Sequence, residues 1–123
     1  MKNATLFLLL VICGSTLVAQ NVKTENFVKV DNRIEAEYFH DNGVLAQTGS
    51  YNAKNQLDGL WSSYNDQGYK LSQGHYSNGK KVGIWTFFQD EKLVLVAFEN
   101  SRVVQVTDLK ISDNPVVTRF DRD

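Results

Sequence analysis

Between residues 27 and 107 apolar side chains recur at every second position in short runs, and each run stops within a few residues at Gly, Asn or Asp. That is the strand period, because successive side chains of an extended chain point to opposite faces. No stretch in this region carries a convincing helical spacing. The runs predict eight short strands over residues 27–30, 34–39, 44–51, 59–64, 69–76, 83–88, 93–98 and 103–107. Connections as short as Asp41-Asn42-Gly43 and Asp66-Gln67-Gly68 permit only antiparallel neighbours, since parallel strands need a long crossover. The expected fold class is all-β: an elongated antiparallel meander.

The pattern repeats. Gly43, Gly49 and Tyr51 return 25 residues later as Gly68, Gly74 and Tyr76, whereas Gly59 and Trp61 return 24 later as Gly83 and Trp85. One residue is therefore missing from the second copy, between Tyr76 and Gly83. This stretch is polar and turn-like, so the strands keep their inside/outside parity, which a deletion within a strand would reverse. Residues 38–62 and 63–87 form two full copies; residues 88–104 read as a degraded third without the glycines, the atypical end that repeat arrays need. Residues 20–37 are expected to supply N-terminal capping strands, and residues 105–123 a last strand and tail in which Pro115 breaks further pairing. With two strands per copy, each repeat lengthens the sheet by roughly 10 Å.

The spacing also predicts register. If Tyr51 faces Gly59 across their loop, Gly49 faces Trp61; in the next copy the same holds for Tyr76 with Gly83 and Gly74 with Trp85. A glycine inside a strand has no side chain to pack, and an aromatic ring laid over it from the neighbouring strand offsets that loss. Trp61 would then cover Gly49, Tyr51 would cover Gly59, and the second copy would do likewise. Tyr51, Trp61, Tyr76, Trp85 and Phe87 fall on one face; Leu60, Tyr64, Tyr69, Leu71, Ile84 and Phe88 fall on the other. Two apolar faces on one sheet are too many for water, so coiling, the terminal strands or a partner is expected to hide part of them.

The first nineteen residues carry an export signal: Lys2, an apolar run over residues 6–12 too short to span a bilayer, and Ala19 before Gln20 as the expected cleavage point. Lipid attachment at Cys13 is disfavoured, because Ile12 stands where a small residue is needed. Cleavage would leave a chain with no cysteine, excluding disulfides and thiol chemistry. It would also remove Lys2, so that twelve of the thirteen Lys and Arg remain against fourteen Asp and Glu. That scattered balance offers no footprint for nucleic acid and no polybasic membrane patch.

Together the aromatic, the acidic-x-Gly turn, the Gly-x-Tyr and the run Tyr76-Ser77-Asn78-Gly79-Lys80-Lys81-Val82-Gly83-Ile84-Trp85 resemble the MORN repeat, in the variant form of bacterial proteins. The first copy departs from that pattern between residues 52 and 58, which lack Asn-Gly-Lys, so Asn55 must take any left-handed position there. The resemblance implies a sheet used for binding or scaffolding without catalysis. Related bacterial proteins look like the antitoxin partner of a toxin, and repeats of this family elsewhere contact membrane lipid or protein.

Chemistry-bearing residues are sparse. His40 lies in a turn and His75 in a strand, far apart in sequence and without a cysteine as co-ligand, so no metal site is expected. Asp41, Asp66 and Asp90 recur in register and are read as caps of their own turns rather than as a calcium ladder. Lys54, Lys80 and Lys81 occupy equivalent loops, where solvated turn lysines outweigh contacts to anionic lipid headgroups. A nicotinate-mononucleotide adenylyltransferase activity finds no support: there is no His-x-x-His and no glycine-rich strand-to-helix turn. No catalytic, cofactor-binding or metal-binding residue is expected. The function expected is a secreted or periplasmic, non-enzymatic module that binds a protein or envelope partner through Tyr51, Trp61, Tyr76, Trp85 and Phe87. The alternatives are an antitoxin-like inhibitor and a binder of anionic lipid or glycan surfaces. Gly43, Gly49, Gly59, Gly68, Gly74, Gly79 and Gly83 are read as structural.

Overall fold

Alternating runs and tight turns build a single sheet. The computed structural model describes residues 23–111; the leader over residues 1–19 and the tail around Pro115 lie outside them. Eight strands follow one another as β1 (Glu25–Val30), β2 (Arg33–Phe39), β3 (Leu45–Tyr51), β4 (Gly59–Tyr64), β5 (Lys70–Ser77), β6 (Lys80–Gln89), β7 (Lys92–Glu99) and β8 (Arg102–Lys110). Each is hydrogen-bonded to the next, in the order β1 through β8, and every pairing is antiparallel. The fold is the expected all-β open meander, one layer thick across the described residues. The predicted strands all form, although β6 begins three residues before the expected Gly83 and β8 runs three past Thr107.

Three five-residue loops of different sequence adopt one hydrogen-bonding scheme. In residues 40–44, 52–56 and 65–69 the first N–H donates to the fifth carbonyl, and the fourth N–H returns to the first carbonyl. The fourth residue is left-handed each time: Gly43 at φ 83°, Asn55 at φ 57° and Gly68 at φ 88°. Asn55 thus takes the role expected of it. The caps are asparagines rather than the predicted aspartates: Asn42, Asn52 and Asn65 Oδ1 accept backbone N–H groups two residues ahead, and Asn52 and Asn65 also accept from four ahead. Among the described residues no side-chain hydrogen bond forms from Asp41, Asp66 or Asp90. Asparagine serves because its amide oxygen accepts while its NH₂ reaches the next repeat, as Asn42 does to the carbonyl of Asp66 at 2.7 Å.

The missing residue of the second copy is taken up where β5 turns into β6. Asn78 and Gly79 are both left-handed, at φ 48° and 82°, which closes a two-residue type I′ hairpin where the first copy has the longer loop ending at Asp58. Register near the turn pairs Tyr76 with Lys81, but beyond it Gln73 pairs with Thr86, a shift of two absorbed at Gly83, which has φ 69°. The first copy makes the same adjustment: Tyr51 bridges Leu57, Thr48 pairs with Ser62, and Gly59 has φ 88°. The prediction that Tyr51 covers Gly59 and Tyr76 covers Gly83 is therefore overturned. Both glycines are bulge residues required for positive φ, and a Cβ at Gly83 would meet nothing within 4 Å while one at Gly59 would meet Arg33 and Ser50. Both copies carry the same bulge, so the one-residue difference stays within the turn and Trp61 and Trp85 keep the same facing.

Lateral ties bind successive repeats at their loops. Arg33 Nη1 donates to Asp58 Oδ2 at 2.8 Å, and its Nη2 donates to Ser50 Oγ and to the Asp58 carbonyl. Asn78 N–H donates to Asp58 Oδ1 at 3.2 Å and Gly79 N–H to the Leu57 carbonyl at 2.8 Å. At the opposite end His40, expected as an exposed turn residue, is half-buried and donates from Nε2 to the Tyr64 carbonyl at 2.8 Å.

Candidate binding face

The core of a one-layer sheet has to be made by one of its own faces. Here it is made by tryptophans lying on glycines. A Cβ built on Gly49 would fall inside the indole of Trp61, and one on Gly74 inside the indole of Trp85. The two rings are 2% and 5% exposed, and with Ala36 they form the buried centre of the domain. Each indole also uses its polar edge: Trp61 Nε1 donates to the Ser50 carbonyl at 3.0 Å and Trp85 Nε1 to the His75 carbonyl at 3.1 Å. Donor and ring are thus satisfied together, as buried tryptophan requires.

Edge-on tyrosines flank these rings. Tyr51 meets Trp61 with centroids 5.2 Å apart, and Tyr76 meets Trp85 at 5.0 Å, both near perpendicular. Tyr76 also abuts Trp61 at 6.3 Å, so the rings run unbroken from one repeat into the next. Phe87 stacks on Trp85 at 6.3 Å, and Phe98 of the third copy closes the series edge-on at 6.2 Å. Lys81, expected as a solvated loop lysine, places Nζ 5.1 Å from both the Trp85 and Phe98 ring centres, a cation–π contact that its position on β6 dictates.

All five rings expected at the site therefore share one face and touch. Their roles differ: Trp61 and Trp85 are interior, while Tyr51, Tyr76 and Phe87 are half-buried. Burial raises the Tyr76 phenol above its ordinary range. Tyr51 is pushed up to about 12, chiefly by burial and then by its hydroxyl contact of 2.8 Å with Tyr38. Tyr38 and Phe27, edge-on at 5.7 Å, extend the aromatic surface to β1 and β2. The sequence reading placed both in strands but did not add them to the face; Tyr38 lies two positions from Ala36, and that period of two was the available signal.

Beside them lies an apolar groove lined by Phe27, Ile34, Tyr38, Tyr51 and Asn55. The opposite face has no such packing. Leu60, Leu71, Ile84, Phe88 and Tyr69 are exposed there, Ile84 at 66% and Tyr69 at 69%. His75 lies on that face opposite Leu60. No three of the described His, Cys, Asp and Glu side chains come together as a ligand set for a metal. No protein-family model, curated protein or solved structure matches the chain.

Proposed function

We propose that this protein is an exported, non-enzymatic repeat module of MORN-like type that docks a protein or envelope-surface partner on its sheet. Tyr51, Tyr76 and Phe87 offer the contacts on the aromatic face, with Trp61 and Trp85 bracing them from beneath. The single observation that carries the reading is the single layer. Large apolar side chains stay open to water on the far side, and half-buried ring edges remain on the near side, with no described element to cover either. Apolar surface rimmed by polar loops is what protein contacts use. Rigid aromatic edges on a preformed sheet also cost little entropy on binding.

The test is partner capture from envelope extract by residues 20–123, compared with two double variants. Tyr76→Ala with Phe87→Ala trims the near face, and Leu71→Lys with Ile84→Lys charges the far face. Circular dichroism confirms that each variant folds. Loss of a defined partner with the first pair supports the aromatic face; loss with the second alone moves the contact to the other side. Capture that survives both pairs overturns the reading.

A further inference from the structure

The register makes the start of the sheet an incomplete version of the repeat. Ala36 pairs with Gly49 as Trp61 pairs with Gly74, so Ala36 stands where the next copy has its tryptophan. Phe27 pairs with Ala36 as Gly49 lies under Trp61 and Gly74 under Trp85, and Lys29 follows Phe27 by two residues as Tyr51 follows Gly49 and Tyr76 follows Gly74. Lys29 therefore stands where the following copies have Tyr51 and Tyr76. In those copies the tyrosine ring fills the space beside the buried row. At this end a lysine holds the position, and the space is the groove of Phe27, Ile34, Tyr38, Tyr51 and Asn55. Lys29 lines an adjoining pocket instead, one that shares Ile34 and Asn55 with the groove.

We propose that this groove is the seat for an aromatic side chain of a partner polypeptide, with Lys29 receiving an acidic group next to it; the assignment rests on the binding role proposed above. The groove's walls are rings whose contacts in the two following repeats are edge-on aromatic pairs, so an incoming ring continues a geometry the sheet already uses. The Tyr38 and Tyr51 hydroxyls share one hydrogen bond, which leaves a single O–H and the Asn55 amide as the polar groups of the groove; a sugar ring, needing several partners, is served poorly. Charge selects the neighbour of that ring. Arg33 is engaged by Asp58, whereas Lys29 belongs to no ion pair among the described residues. Phe27, 48% exposed at the mouth, is the wall a bound ring would cover.

The experiment is anisotropy titration of the purified chain with a labelled pentapeptide carrying tyrosine between two aspartates, against the same peptide with a central alanine and against a neutral trisaccharide as competitor. The tyrosine peptide should bind at least about ten-fold more tightly than the alanine peptide, a factor equal to about 1.4 kcal/mol. Lys29→Glu should weaken it by a similar factor at low salt. Lys29→Tyr supplies the absent ring from the protein itself, so it should abolish binding while the thermal midpoint holds or rises. Equal affinity for the two peptides, no saturable binding, undiminished binding by Lys29→Tyr, or displacement by the trisaccharide would each overturn the assignment. An envelope partner captured equally well by Lys29→Tyr removes this seat and leaves the binding role standing. Capture indifferent to every sheet substitution removes the role itself.

Discussion

Adding one methyl group at Gly74 should cost this protein a large part of its stability. A Cβ there would penetrate the Trp85 indole at Cδ2, Cε2 and Cγ, so either the ring or the strand must move. Overpacking that neighbours can absorb costs about 1–3 kcal/mol. Here the neighbour is a nearly buried indole whose Nε1 is held by the His75 carbonyl, and expelling it forfeits burial of roughly 150–250 Å² at about 25 cal/mol/Å², or about 4–6 kcal/mol as an upper estimate. The first figure is a lower bound, because this neighbour cannot absorb the methyl, and the second an upper one, so Gly74→Ala should cost about 3–5 kcal/mol. A domain of this size holds about 4–13 kcal/mol in total. Urea unfolding followed by far-ultraviolet circular dichroism measures the loss, and a double-mutant cycle with Trp85→Ala identifies its cause. Without the indole the added methyl has room, so Gly74→Ala in that background should cost less than about 0.5 kcal/mol. Trimethylamine oxide restores the fold if Trp85→Ala alone is too unstable to titrate. A cost below about 1 kcal/mol in the parent, or the same cost with and without the ring, would refute the claim that tryptophan on glycine holds the sheet together.

Two titrations test the polar contacts. Tyr51 has its phenol raised from 10.0 to about 12, so the neutral form is favoured in the fold; the stability this gives is complete below pH 10 and is lost as pH rises towards 12. Absorbance at 295 nm should show a late-ionising component that Tyr51→Phe reduces, and the same variant should flatten the alkaline limb of the stability curve; a Tyr51 ionising at the ordinary 10.0 would refute it. Asp58 is lowered from 3.8 by Arg33 and by the Asn78 N–H, so its contribution is present above that ordinary value and fades as pH falls through the lowered one. Asp58→Asn should destabilise neutral-pH protein by about 0.2–1 kcal/mol, the range for exposed pairs, and the deficit should shrink as the pH falls below 3.8 through the lowered value; a loss that does not change with pH would show that shape rather than charge is responsible.

How much of this was legible in the sequence follows from what kind of information each feature carries. Strand number, order and antiparallel sense came through because alternation and short turns are local signals, and the placement of Trp61 on Gly49 and Trp85 on Gly74 came through because two copies repeat the same offset. The tyrosine half of the register failed at Gly59 and Gly83. Counting residues across a loop assumes an unbroken ladder, and a bulge changes the count without changing composition. The turn aspartates failed for a related reason: Asp41 and Asn42 suit the same turn chemically, and only the backbone path decides which oxygen meets the N–H of Val44. Lys81 and His40 could not be read as packed residues, because their partners Phe98 and the Tyr64 carbonyl lie in other repeats. The rings were legible as sharing one face, but their different burial was not. Burial separates Trp61 and Trp85 from the half-exposed tyrosines, and burial depends on how the whole sheet coils.

That division follows from building a core out of one layer. The row runs along the sheet as Phe27 with Ala36, then Gly49 with Trp61, Gly74 with Trp85, and Val96 with Val106, buried along its middle and exposed at Phe27 and Val106. Each pair holds close to one large side chain and one small one, or two of middling size, so the thickness of the face stays nearly constant while the strand that supplies the bulk changes. A third glycine-tryptophan step cannot be placed on β7, because Val96 holds the position a glycine would need to occupy. At the other end Phe27 supplies the bulk from the first strand, and no tyrosine follows it. Among the described residues the repeat gives way to Phe27 with Ala36 at one end and to Val96 with Val106 at the other, and the groove lies at the Phe27 end. The tryptophans that make an uncovered sheet stable are, by the same packing, withdrawn from contact with anything else. A partner on this face must read the tyrosine edges, Phe87 and that groove.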